Sequence, residues 1–241
     1  MPRLTTSLIW VLHAAYVLES AGQLKRAESD AAQAYRLAPA NSTVVGNLAA
    51  VKSLLGLDVE AVRFANLSID LGSGRNVTPL PEIHANAAVR SARYSEAFQQ
   101  IVASLPPQLR EAGGADALQL YYSALAEPRA VPAARRALKA LLGKVDTSAL
   151  NVNLRKDFIA YFTALGALDD AYEFANTSLD GFAHSGTVGS AWGVLWLPEM
   201  RPFRRDPRFQ AFVTRLRLAD YWRRYGPPDS CDLRGTTLEC R

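Results

Sequence analysis

A pair of small residues recurs along this chain at a spacing that restricts the folds open to it. Gly22 is followed five residues later by Ala27, and Gly56 is followed in the same way by Ala61, so the pair returns after 34 residues. A glycine permits the tight turn between two helices, and a small residue on the second helix lets that helix pack closely against the first. The spacing therefore predicts helical hairpins that repeat along the chain.

Further copies of the pair support this prediction. Gly166 and Ala171 form a clear copy, and Ala92 with Ala97 form one that is shifted by two residues. The extra length of the shifted copy falls in the connection at residues 72–81, where a loop can absorb it. Several independent copies are more specific for a repeat than a single motif, so we expect hairpins at both ends of the chain.

The period of 34 residues is that of the tetratricopeptide repeat, in which each unit is one helical hairpin. A fourth, irregular unit is expected from helical stretches at 115–126 and 131–143, separated by Glu127 and Pro128. With this unit, five hairpins are predicted within residues 1–180. Because each hairpin buries its apolar face only against its neighbours, the last one needs a cap with a polar outer face.

Residues 206–225 are predicted to form that cap. Asp206 and Pro207 are typical of the start of a helix, and two apolar stripes follow. The stripes consist of Phe209, Phe212, Val213 and Leu216, and of Leu218, Tyr221, Trp222 and Tyr225. The cap region, 181–241, begins with an irregular crossing rich in Gly and Trp. The sequence thus predicts an all-α fold, a tetratricopeptide-like right-handed helical solenoid with a C-terminal helical cap.

The composition is that of a folded globular protein, with 49% hydrophobic residues and a formal net charge of +4. Two apolar runs, 8–12 and 14–18, flank His13 and loosely imitate a signal peptide, but they are in register with the first repeat. We therefore interpret them as the first helix. No other segment approaches the roughly 18 apolar residues needed to span a bilayer. Any membrane anchor is expected upstream of this chain.

The end of the chain resembles a known family. The segments 196–203, 205–212, 220–222 and 228–231 are similar to the closing part of tetratricopeptide domains in bacterial winged-helix transcriptional regulators and adenylate cyclases. In those proteins the repeats follow the output domain, often beyond a membrane segment. The resemblance implies a sensory or protein-interaction part. The sequence shows neither a winged helix nor a cyclase domain, so DNA binding and cyclase activity are not implied.

Signatures of catalysis, metal binding or cofactor binding are not recognisable. His13, His84 and His184 are far apart and lack a metal-ligand spacing, and no Gly-x-Ser-x-Gly elbow precedes a helix. Glycine pairs follow helices and not strands, which favours turns over phosphate loops. We therefore predict that the chain is not an enzyme and binds no cofactor and no metal.

The basic charge is concentrated in residues 201–241, which hold ten arginines and five acidic residues. These arginines alternate with Phe, Leu and Trp, a pattern better explained by the solvated side of two packed helices than by a nucleic-acid-binding motif. Direct nucleic-acid binding is not expected.

Candidate residues can be named for one functional hypothesis, the binding of a partner in the concave groove. The first helix of each hairpin lines that groove, and its inward positions give a candidate set for a protein or peptide partner: Tyr16, Glu19, Asn47, Glu82, Asn86, Arg90, Asn153 and Lys156. For each residue, a merely solvated helix face is the alternative. Only Asn47 matches the carboxylate clamp of this repeat family, since Pro79 and Ile83 stand where basic residues belong. A small-molecule or lipid-binding helical domain is the alternative function, and it would need a closed apolar cavity.

Both cysteines, Cys231 and Cys240, lie at the very end of the chain. Such a late pair suggests a disulfide that closes a short loop, although two free thiols or an incomplete metal site are alternatives. The family resemblance points to the disulfide, because similar domains have a second cysteine at about this distance. A disulfide implies an oxidising compartment, so the predicted location is the periplasm, with the cytoplasm as the alternative.

Overall fold

The computed structural model describes residues 14–77, 79–147, 152–182, 191–235 and 237–241. These residues are mostly helical, which confirms the all-α prediction. Residues 14–20 belong to the first helix, α1. The following helices are α2 Leu24–Leu37, α3 Ser42–Leu54, α4 Asp58–Asp70, α5 Leu80–Arg90, α6 Tyr94–Ala103, α7 Pro107–Glu111, α8 Gly114–Ala126, α9 Val131–Leu142, α10 Val152–Ala164, α11 Leu168–Phe182, α12 Arg201–Arg205, α13 Arg208–Arg215 and α14 Leu218–Tyr225. Short 3-10 helices span Pro128–Ala130, Ala191–Trp196 and Pro198–Met200.

The predicted turn glycines lie between consecutive helices. Gly22, Gly56 and Gly166 adopt φ values of +74°, +73° and +70°, and each joins the two helices of one hairpin. The left-handed conformation lets the turn satisfy the last carbonyl groups of the preceding helix, for example by the Gly22 N–H donating to the carbonyl of Glu19 at 3.1 Å. In the third hairpin Ala92 takes this position with φ +56°. The glycine pattern therefore located the hairpin turns.

Small residues allow the helices of each hairpin to pack closely. Ala27, Ala61, Ala97 and Ala171, the second members of the repeating pair, are all 0% exposed. A side chain larger than alanine at these positions would separate the two helices. Neighbouring hairpins also contact each other, through α2 with α3, α4 with α5 and α6 with α8.

The irregular fourth hairpin consists of α8 and α9, close to the predicted ranges 115–126 and 131–143. The additional helix α7 was not predicted. It ends just before Gly114, where a Cβ atom would lie 2.6 Å from the carbonyl oxygen of Leu109. Further along, Arg135 and Lys139 of α9 form ion pairs with the buried carboxylate of Asp170 on α11. These ion pairs connect the fourth and fifth hairpins.

The predicted cap region 206–225 consists of two short helices, α13 and α14. Arg217 adopts φ +60° and separates α13 from α14. Aromatic side chains of this region form much of a large buried apolar cluster, in which Trp192, Phe203, Phe209, Phe212 and Trp222 are at most 2% exposed. Phe203 stacks on Tyr172 of α11 with ring centroids 4.0 Å apart, so the cap covers the last hairpin, as expected for a terminal element.

The same region also contacts the first hairpin, which the sequence did not predict. Indole N–H groups of Trp196 and Trp222 donate to the carbonyls of Ser20 and Ala21 at 3.0 and 2.8 Å. The Asp229 N–H donates to the Gly22 carbonyl at 2.9 Å. We call residues 191–230 the C-terminal segment. It connects the end of the chain to the turn of the first hairpin.

A two-stranded antiparallel sheet ends the chain, with β1 Cys231–Arg234 and β2 Thr237–Cys240. Cys231 pairs with Cys240 in the strand register, and their sulfur atoms are 2.08 Å apart, in a disulfide. The prediction of a disulfide is confirmed, and the short loop that it closes is an ordered hairpin. Cys231 is 3% exposed and belongs to the large buried cluster.

Candidate functional site

The structure places the predicted groove residues in three different environments. Tyr16 is exposed, with a relative accessibility of 36%. Glu19, Asn47 and Lys156 are buried, with 6%, 4% and 7% exposed. Glu82, Asn86 and Arg90 of α5 are half-buried. Asn153 lies on α10, but its side chain falls outside the described part of the chain. Most of these side chains are therefore enclosed and do not form a solvated helix face.

The C-terminal segment accounts for part of this burial. A Cβ atom at Gly193 would lie 3.3 Å from Leu54 and 3.9 Å from Glu19, so the segment passes directly over α1 and α3. Further along, Pro198 lies against the Gly56 turn, where a Cβ atom would be 3.3 Å from its ring. The chain itself thus covers the face of the first two hairpins that carries Glu19.

At the third hairpin the contact with the C-terminal segment is ionic. Arg90 donates from Nε and Nη2 to the carboxylate of Glu199 at 2.6 and 3.1 Å, and from Nη1 to Asp58 at 2.5 Å. Burial disfavours the charge of Arg90, but the hydrogen bonds to the two carboxylates outweigh this effect and raise its pKa. Arg90, predicted as a partner-binding residue, joins α5, the α4 N-terminus and the C-terminal segment in this structure.

Replacing Arg90 by glutamine is expected to lower the free energy of unfolding by about 2 kcal/mol, because Asp58 and Glu199 would keep their partly buried charges without a cation. Urea unfolding at neutral pH measures this loss. Arg93→Gln is the matched control, since Arg93 forms a pair with Glu96 that is about half exposed on both sides. The control should cost at most a few tenths of a kcal/mol. Equal effects of both substitutions would contradict the proposed role of Arg90.

Four ionisable side chains converge inside the array, and we call them the inner polar cluster: Glu19 of α1, Glu82 of α5, and Lys156 and Asp157 of α10. Burial raises the pKa of Glu19 to about 8, against an opposing effect of Lys156. Burial also lowers the pKa of Lys156 to about 8, although Asp157, Glu82 and Glu19 favour its charge. Three of the four residues were predicted as groove residues. The structure brings them close enough to influence one another electrostatically.

Asp157 is the member that sequence reasoning missed. Burial, followed by the neighbouring charge of Glu82, raises its pKa well above the ordinary value. One signal could have identified it, because Lys156 and Asp157 are adjacent charges followed by the apolar residues Phe158 and Ile159 in a helix that is largely buried. Charged residues are rarely buried unless they are paired, so two adjacent charges in a largely buried helix point to a polar site in the interior.

Three tyrosines lie together beside the inner polar cluster, Tyr121 and Tyr122 of α8 and Tyr161 of α10. The ring of Tyr121 lies 4.8 Å from that of Tyr122 and 4.5 Å from that of Tyr161. Burial raises the pKa of all three phenols, and Asp157 adds to the shift in each case. These hydroxyl groups therefore stay protonated and can donate hydrogen bonds in a region of low dielectric constant.

A small pocket opens beside the inner polar cluster. Glu82, Asp157 and Tyr161 line it together with a set of mostly apolar side chains, namely Ile101, Ser104, Leu105, Leu109, Leu118, Leu141 and Phe158. Its free volume of about 20 Å³ has room for about one water molecule. The pocket as it stands could not hold a lipid or a drug-sized molecule.

Two buried polar groups near the inner face lack hydrogen-bond partners within the described ranges. They are the Oε1 atom of Glu19 and the side-chain amide of Asn47. Buried polar atoms usually bond to protein or to ordered water, so both groups have unused capacity for hydrogen bonds.

Other kinds of site are not found in the described part of the chain. No group of three or more His, Cys, Asp or Glu side chains there is arranged to hold a metal ion. Within the same residues, no helix is both long and apolar enough to cross a membrane. No protein-family model matches the sequence, and comparison with curated proteins gives no significant match.

Proposed function

We propose that this chain is a protein- or peptide-binding module of the tetratricopeptide type, a right-handed helical solenoid that serves as the sensory or interaction part of a bacterial signalling or transcriptional regulatory protein. Consecutive hairpins with left-handed glycine turns and closely packed small residues support the solenoid arrangement. The resemblance of the C-terminal residues to the closing part of such regulatory domains supports the setting.

The inner polar cluster carries the proposal. Placing four ionisable groups in buried or half-buried positions costs free energy, and an array of this kind could be stabilised as well by apolar residues of similar volume. Strongly shifted pKa values of neighbouring groups are found most often at functional sites. We therefore place the binding site at the face formed by Glu82, Asn86 and Asp157, beside the pocket.

The pocket favours a peptide or protein over the alternative, a small-molecule or lipid ligand. Its free volume of about 20 Å³ suits the tip of one side chain, whereas an enclosed small ligand needs a cavity of several hundred Å³. A partner that stays on the surface and inserts a single side chain needs no such cavity.

The disulfide supports an extracytoplasmic setting. Such bonds persist in oxidising compartments, and the bacterial periplasm is one of them. We propose the periplasm as the location of this chain, with the cytoplasm as the alternative.

The test is a random peptide library displayed on phage and selected against the purified, oxidised chain. Peptides that bind should lose about tenfold in affinity when Asp157 is replaced by alanine, because a buried polar group of the peptide left without its partner costs about 1–3 kcal/mol. Arg136→Gln, on the exposed side of α9, is the control and should bind as the unchanged protein does. Circular dichroism verifies that both variants are folded.

Two outcomes would contradict the proposal. Peptides that bind both variants equally would place the site elsewhere. Stabilisation of the unchanged protein, but not of Asp157→Ala, by members of a metabolite library in thermal unfolding would favour the small-molecule alternative.

A further inference from the structure

Three carbonyl groups at the turn of the first hairpin are hydrogen-bonded by the C-terminal segment. Three consecutive carbonyls, those of Ser20, Ala21 and Gly22, accept hydrogen bonds from Trp196, Trp222 and Asp229, respectively, at 2.8–3.0 Å. The donors and acceptors are 176 or more positions apart in the chain. This turn is therefore a docking point at which the two ends of the array meet.

Side chains at the start of α2 strengthen the contact. The Gln23 amide donates to the carbonyls of Tyr225 and Gly226 at 2.9 and 2.7 Å. In return, the Asp229 carboxylate accepts from the backbone N–H of Lys25 at 2.7 Å, where it satisfies one of the unpaired groups at the start of the helix. Asp229 thus contributes both its backbone and its side chain to the docking point.

The disulfide-closed hairpin begins two residues after Asp229. The Cys231 N–H donates to the Pro228 carbonyl at 3.1 Å, and the Arg241 N–H donates to the Ser230 carbonyl at 2.9 Å. Strand β2 is held on the cap by the Leu238 N–H, which donates to the Gln210 side chain at 2.9 Å. The hairpin therefore determines where residues 228–230 lie.

A two-stranded hairpin of this size is marginally stable in water without further support. Its strands have four residues each, and the disulfide joins their outer ends. Such a cross-link stabilises a short loop mainly by reducing the freedom of the open state. Breaking the disulfide should therefore disorder the hairpin first, and residues 228–230 with it.

We propose that the Cys231–Cys240 disulfide is a redox-sensitive lock that holds the C-terminal segment on the turn of the first hairpin. A dithiol reductant supplies two electrons and two protons; the S–S bond breaks, two thiols form, and the reductant becomes a disulfide. Reduction releases Asp229 from Gly22 and Lys25. This inference does not depend on what the inner polar cluster binds.

Amide hydrogen exchange, measured by mass spectrometry on the full chain before and after reduction with dithiothreitol, tests the proposal. Exchange in peptides covering 21–27 and 226–231 should become roughly 10- to 100-fold faster on reduction. Exchange in α8 and α9, which lie away from the docking point, should not change. Reoxidation should restore the original rates.

Cys240→Ser is the matched variant, because it removes the bond and leaves the buried Cys231 in place. It should exchange at the fast rate with or without dithiothreitol. Should this variant fail to fold, the reduction and reoxidation of the unchanged protein still decide the matter. Unchanged exchange at 21–27 and 226–231 in protein shown by thiol titration to have two free thiols would overturn the proposal. An equal increase in α8 and α9 would also overturn it, since reduction would then unfold the whole protein.

Discussion

Replacing Gly22 by alanine is expected to lower the free energy of unfolding by about 4 kcal/mol. A Cβ atom at this position would lie 2.5 Å from the Trp196 ring and 2.8 Å from Pro228. Neither neighbour can retreat easily, because the Trp196 indole N–H is bonded to Ser20 and both residues are buried. The φ of +74° adds a cost that any side chain would incur.

Gly166 offers a control with the same backbone conformation. Its φ is +70°, but no atom lies within 4 Å of the position that a Cβ would take. Gly166→Ala should therefore show the conformational cost alone, about 1–2 kcal/mol. Gly56→Ala, whose Cβ would meet Pro198 at 3.3 Å, should fall between the two.

Urea unfolding of the three variants, followed by far-ultraviolet circular dichroism, gives the comparison. The expected order of destabilisation is Gly22, then Gly56, then Gly166. Equal losses at Gly22 and Gly166 would show that the C-terminal segment does not pack tightly on the first turn, and would remove the basis of the docking point.

Glu19→Gln is expected to have the second largest effect, and this effect should depend on pH. The folded protein holds a proton on Glu19 up to about pH 8, whereas the unfolded chain loses it near the ordinary pKa of a glutamate. Between these values the folded state binds more protons, so stability should fall by about 1.4 kcal/mol for each pH unit of increase. Glutamine resembles the protonated acid and cannot ionise, so the variant should lose this dependence.

Other ionisable groups near Glu19 also change how the stability depends on pH, each in the direction that follows from its own pKa shift. The raised pKa of Asp157 also makes stability fall as the pH rises above the ordinary value of an aspartate. The pKa of Lys156, lowered to about 8, adds stability only as the pH rises from about 8 toward the ordinary lysine value. Glu82 and Tyr16 face the same region. The unchanged protein should therefore lose stability as the pH rises from 5 to 8.

Urea unfolding at pH 5, 6.5 and 8 measures the profile. The variant and the unchanged protein should agree within about 1 kcal/mol at pH 5, and the variant should be more stable by on the order of 4 kcal/mol at pH 8. Glu111→Gln, which removes an exposed carboxylate on α7, should leave the profile unchanged. A variant that is less stable than the unchanged protein at pH 8 would mean that Glu19 is ionised and stabilised by Lys156.

The predictions for Gly22 and Glu19 concern two different contacts of the first hairpin. At Gly22 the C-terminal segment packs from outside on the turn of the first hairpin. At Glu19, one helical turn earlier, the same hairpin contributes a carboxylate to the interior. A change in how the C-terminal segment docks would therefore also change the surroundings of the inner polar cluster, since Gly193 of that segment lies against Glu19.

Local features of the sequence were sufficient to predict most of the helices and the hairpin turns. Gly22, Gly56 and Gly166 mark turns because the left-handed conformation is cheap only for glycine, and Ala27 and its equivalents mark close helix packing because they lack bulk. The cysteine pair was predictable for a similar reason, since nine positions separate its members and they could meet through a short loop. These properties depend on residues that are near one another in the chain.

Tertiary structure alone decided which of the predicted groove residues are enclosed and what encloses them. The contacts of Trp196 with Ser20, and of Glu199 with Arg90, join residues 176 and 109 positions apart. No local pattern defines such contacts, because they join the C-terminal segment to helices that are far away in the sequence. The burial of Glu19 follows from that closure, and its shifted pKa follows from the burial, since desolvation acts through everything that surrounds a side chain and not through its neighbours in sequence.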